Sequence, residues 1–147
     1  MYEPRGHSAM SGVVFTEPTI AEADFGVIFI ETGGYLPMCG HDIIGVSTAL
    51  VETGMVQVEE PVTHINLDTP AGLTQVRVEV VDGVAKSVTF RNIPSFVFAK
   101  DAEVHVPEIG RVKLDVVYGG NVYAIVPADV VGKDIRPEHA NAFIEKG

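Results

Sequence analysis

The chain has 147 residues, enough to bury a core of its own, and with 46% hydrophobic and 20% charged residues it is globular in composition, not disordered. Its 20 acidic and 10 basic side chains give a net charge of -10 with no basic cluster, which argues against nucleic acid and anionic membrane surfaces as partners. A single cysteine excludes an internal disulfide and any Cys/His zinc spacing.

The N-terminal MYEPRGHSAM has neither the basic nor the apolar region of a signal peptide, and no apolar run reaches the ~18 residues of a membrane span. The expected setting is cytoplasmic, with a reduced thiol. In chain order, SGVVFT (11–16) and FGVIFIET (25–32) read as short strands separated by a turn region around Pro18. An apolar run over 41–53 predicts a helix, with Gly54 placed to end it as a C-cap glycine. Between residues 43 and 52, Ile43, Ile44, Val46, Ala49, Leu50 and Val51 leave only Ser47, Thr48 and Glu52 polar, so this helix is expected to be buried nearly all round.

THINLDT (63–69) alternates polar and apolar residues at the period of a half-buried strand. LTQVRVEVVDGVAKSVTFRN (73–92) reads as a hairpin, with Val76, Val78 and Val80 on one arm and Asp82-Gly83 as the turn. Strands are further expected at 95–100, 103–107, 111–119 and 121–127, and a second helix near 136–145 with Pro137 in its first turn. One buried helix among eight or more strands implies an α+β class: a mostly antiparallel sheet or barrel wrapped around a central helix, forming a single domain over 1–147.

Cys39 lies where the chain enters the first helix. The first amides of a helix lack intrahelical partners and the dipole there is positive, a setting that binds carboxylates and favours a thiolate. Gly33, Gly34 and Gly40 would let backbone approach a ligand closely. A free cysteine is equally at home as a small buried hydrophobe. Position therefore leaves two readings open, an activated thiol beside a carboxylate nest or inert packing.

EPRGHSAM (3–10), GYLPMCGHDIIGVSTALVETG (34–54), DTPAG (68–72), RNIPSFV (91–97) and YGGNVYAIV (118–126) resemble, in order and spacing, the proline racemase and 4-hydroxyproline epimerase family. The resemblance covers essentially the whole chain and rests most heavily on the MCGH signature. It implies one lobe of a two-lobe, diaminopimelate-epimerase-like fold. The leading strands before YEPRGH and a second motif, Asp-Arg-Ser-Pro-Cys-Gly-Thr, are then expected to be missing from these residues.

The activity it implies is inversion of the α-carbon of an imino acid, without pyridoxal phosphate or any other cofactor or metal. By motif, Cys39 is one of two acid/base thiols and the amides of Gly40 and His41 hold the substrate carboxylate. Ser11 stands where proline racemases carry an aromatic residue, which leans toward a hydroxylated ring. Asp42 replaces a glycine usual after MCGH, with its role open. With one thiol, the 147-residue chain by itself is not expected to racemise proline, and a homodimer or a complementary lobe is the expected partner.

Two rival readings accompany this one. A trans-3-hydroxyproline dehydratase would resemble the family but carry threonine for the second cysteine. A non-catalytic remnant would bind a small carboxylate or a partner chain. His7 reads as pocket-lining or structural, and His64, His105 and His139 as scattered structural or solvated residues. Asn121 and Tyr123 are candidates to approach the substrate cleft, with Tyr123 packing as the equal alternative. Glu59-Glu60 reads as a solvated turn and Lys86 as an exposed hairpin residue.

Overall fold

The computed structural model describes residues 9–147, which form two compact units divided at Pro94 and Ser95. His7 and most of the EPRGHSAM motif lie outside the described residues.

In the first unit the strands are β1 (Ser11–Thr16), β2 (Phe25–Glu31), β3 (Gly34–Leu36), β4 (Val62–Thr69), β5 (Gly72–Val81) and β6 (Val84–Arg91). They form one sheet in the order β1-β2-β4-β5-β6, with β3 paired to β2. Neighbours run antiparallel except β2 and β4, which meet in parallel over Phe25–Gly26 and Leu67–Asp68. Side chains reinforce that short junction. Asn66 N–H donates to Asp24 Oδ2 at 2.7 Å, and Thr19 Oγ1 donates to Asp68 Oδ2 at 2.7 Å.

The helix α1 (Gly40–Glu52) connects β3 to β4. It buries Ile43, Val46, Leu50 and Val51 against Val27, Phe29, Ile65, Leu67, Val76, Val78 and Val80 from the sheet. Removing each of those helix side chains from water contributes about 1.5–3 kcal/mol, so packing rather than propensity holds the helix in place. Its expected all-round burial is corrected: His41, Gly45 and Ala49 are exposed, and Ile44 is 46% exposed. The sheet covers one face of α1, and apolar composition alone does not say how many faces are covered. Gly54, at φ +70°, donates its N–H to Val51 O and ends the helix as expected.

Asp82 and Gly83 take φ of +54° and +72° at the β5–β6 turn, the paired left-handed geometry of a tight hairpin. Glu60, read from sequence as solvated, accepts the Gly83 N–H at 2.8 Å and braces that turn.

The second unit is a three-stranded antiparallel sheet, β7 (Phe96–Val106), β8 (Gly110–Tyr118) and β9 (Val122–Ile125). A short 3-10 turn at Ala128–Val131 follows, then a second at Pro137–His139 leading into α2 (Ala140–Lys146). The two strands expected at 95–100 and 103–107 are one. Pairing with β8 shifts between Val97 and Ala99 and again before Ala102, and Asp101 sits at φ +51°. Asp115 Oδ1 accepts the Asp101 N–H at 3.0 Å and holds the irregularity in place.

Candidate active site

Cys39 is the residue on which extended chain turns into helix. Its backbone is extended at φ -141°, ψ 107°, and its carbonyl accepts the Ile43 N–H at 3.0 Å, the first bond of α1. Two anchors fix the approach. Met38 is buried in the core, and Pro37 O accepts the Ala71 N–H at 3.1 Å from the β4–β5 turn. The thiol itself is half-buried and makes no capping hydrogen bond.

Gly40 was read as leaving room for a ligand, but its neighbour in the structure is protein. A Cβ there would stand 3.0 Å from Phe90 Cζ on β6, so the glycine admits an aromatic ring against the first turn of the helix. His41 is exposed beside it.

Asp42 is only 6% exposed. Its Oδ1 accepts a hydrogen bond from Ser11 Oγ at 2.6 Å, joining β1 to the helix, while Oδ2 is buried without a hydrogen-bond partner. An acid in the first turn suits the helix dipole, which offsets part of the desolvation cost. Ser11 and the Cys39–Asp42 segment, 31 residues apart in sequence, are thus brought together.

The expectation that the helix start lowers the Cys39 pKa is corrected. Burial pushes the thiol above its ordinary value, and the adjacent Asp42 carboxylate adds to the rise. The amides of Asp42 and His41 favour the thiolate but do not offset those effects. Cys39 therefore rests as a protonated thiol.

The remaining sequence candidates stand apart from this cluster or outside its unit. His64 and Lys86 are exposed on strands of the first unit. In the second unit His105 is exposed, His139 pairs through Nδ1 with Asp134 O, and Asn121 donates to Tyr123 Oη at 3.1 Å. Among the described residues no group of three or more His, Cys, Asp or Glu is placed to hold a metal ion, and no helix is long and apolar enough to cross a membrane. Sequence reasoning missed Phe90 as a wall of the helix start and the bond from Asp42 to Ser11. The only signal for either was the apolar alternation on β6 and an acid inside an otherwise apolar run.

The proline racemase family model matches residues 1–147. The chain belongs to the proline racemase family. It is 56% identical over 147 residues to a 4-hydroxyproline 2-epimerase of Streptosporangium roseum, covering 100% of this chain and 44% of that protein. It is 48% identical over 145 residues to a proline racemase of Clostridioides difficile, covering 99% and 43% respectively. A hydroxyproline epimerase from Agrobacterium vitis, solved with bound trans-4-hydroxy-L-proline, superposes with a TM-score of 0.93 at 34% identity, over 97% of this chain and 42% of that one. The chain thus spans less than half the length of these family members. The α+β class expected from sequence is borne out, as is the family.

Proposed function

We propose that this chain carries one of the two acid/base thiols of a cofactor-independent racemase or epimerase acting on proline or 4-hydroxyproline. The observation that carries the proposal is Cys39 at the start of α1, half-buried, beside the first backbone amides of the helix. A substrate carboxylate held by the amides of Gly40 and His41 would present its α-carbon to the thiol. A thiolate on the opposite face removes the α-proton. The electron pair left on carbon is delocalised into the carboxylate, where preorganised N–H donors stabilise the developing charge. Cys39, held protonated, then delivers its proton from its own face, and configuration inverts. In the reverse direction the same sulfur starts as the thiolate.

The opposing thiol must come from outside these residues, because Cys39 is the chain's one cysteine. The 147 residues alone are therefore expected not to invert an imino acid. Ser11 in place of an aromatic residue favours 4-hydroxyproline over proline, in keeping with the hydroxyproline ligand of the Agrobacterium vitis relative. The dehydratase and remnant readings are not carried forward, since the relatives described above are named as racemase and epimerases.

Chiral chromatography of L-proline and trans-4-hydroxy-L-proline after incubation with the active protein tests the proposal. Inversion of the hydroxylated substrate in preference to proline is expected, with loss of both activities in Cys39→Ala. Inversion by Cys39→Ala, or by the 147-residue chain alone, would contradict it.

A further inference from the structure

We propose that Asp42 is a positioning residue that fixes the Ser11 hydroxyl as a hydrogen-bond acceptor toward the substrate ring, so that the site selects a ring substituent that donates a hydrogen bond. This rests on the preceding reading of Ser11 as a ring-facing residue and adds the direction of the bond it makes.

A serine hydroxyl has one proton to donate and two lone pairs to accept with. Ser11 spends its proton on Asp42 Oδ1, at 2.6 Å. A carboxylate has no proton to give, so in this pair the serine hydroxyl donates and Asp42 Oδ1 accepts. Asp42 is in turn held still. It is 6% exposed and belongs to the first turn of α1, so burial and the helix hold its carboxylate against Ser11. Ser11 is only half-buried, so its oxygen still has lone pairs available to a ligand.

The consequence concerns ligand chemistry. A 4-hydroxyl can donate to Ser11 Oγ. A 4-oxo or 4-fluoro group of similar size, like a bulkier 4-methoxy group, can only accept, and would set two acceptors against each other. A site built around a donated hydrogen bond rejects such analogues far more strongly than a change of size alone would. A glycine at position 42 would leave the Ser11 proton free to point at the ligand, and this selectivity would be lost.

The test is the protection of Cys39 from iodoacetamide in the active protein by trans-4-hydroxy-L-proline, its 4-methoxy and 4-fluoro analogues, and 4-oxo-L-proline. The hydroxylated ligand should protect at concentrations at least about tenfold lower than the other three, the effect of one hydrogen bond. In Asp42→Asn the carboxamide can donate to Ser11 Oγ and turn its proton outward, so the ratio between hydroxy and fluoro ligands should collapse toward one. A side chain with a merely structural role would weaken all four ligands together. Equal protection by all four in the unmodified protein overturns this inference alone, without recourse to any variant. Protection by none of them overturns the proposed function and this inference with it. An unchanged ratio in folded Asp42→Asn assigns the selectivity to another residue and likewise overturns the role of Asp42.

Discussion

The two units of this chain are both built from antiparallel hairpins, yet they differ in what lies beneath the strands. The first unit buries a dozen hydrophobic side chains between its sheet and α1, Phe29, Ile43, Leu50 and Leu67 among them. In the second, Val112 is the one fully buried hydrophobic side chain among the described residues, and Phe96, Phe98 and Tyr118 stack in a cluster whose two phenylalanines are exposed. Ladder hydrogen bonds can shape a sheet with little interior. They do not immobilise a side chain for chemistry. Cys39 sits in the unit with the interior, on a helix start held by Met38 and Ile43.

The sharpest way to break this contrast is to cut into each unit. Leu50→Ala removes a fully buried side chain from α1 and should cost about 2–5 kcal/mol in urea unfolding. Ile125→Ala, at a side chain 55% exposed on β9, should fall within about 0.5 kcal/mol of the parent. Similar losses at both positions would mean that the second unit has an interior comparable to the first.

A smaller effect probes the helix start itself. Gly40→Ala places a methyl 3.0 Å from Phe90 Cζ and should destabilise by about 1 kcal/mol through overpacking. Phe90→Leu in the same molecule should recover most of that loss, a coupling that two independent sites would not show. The smallest effect is electrostatic. Burial and the Asp42 charge hold Cys39 protonated, so its alkylation rate should rise with pH only above the range of an ordinary thiol. Asp42→Asn removes the charge and should move that midpoint downward. A midpoint unmoved by the substitution would leave burial as the sole cause.

Much of the first unit was legible because its signals are local. The Asp82-Gly83 turn, the alternation through Val76, Val78 and Val80, and the boundaries of α1 all follow from neighbouring residues. The parallel contact of β2 with β4 has no local signature, and β3 is three residues long, too short for a period to show. One strand was read as two at Asp101 because a bulge interrupts alternation without ending the ladder. At the site, the motif marked Cys39, Gly40, His41 and Ser11. The hydrogen bond that ties Ser11 to Asp42 spans 31 residues and exists only once β1 lies against the helix. The raised thiol pKa was missed for the same reason: burial is a property of the fold, whereas the helix dipole can be read from the sequence.

The central claim is that Cys39 moves the substrate's α-proton. It is tested most directly by proton NMR of trans-4-hydroxy-L-proline incubated in D2O with the active protein and with Cys39→Ser. Conversion to the α-deuterated epimer is expected with the active protein, slowed by at least about 100-fold in Cys39→Ser, the usual contribution of a positioned acid/base group. Formation of the α-deuterated epimer at an undiminished rate in the serine variant would show that the thiol at the start of α1 is packing after all.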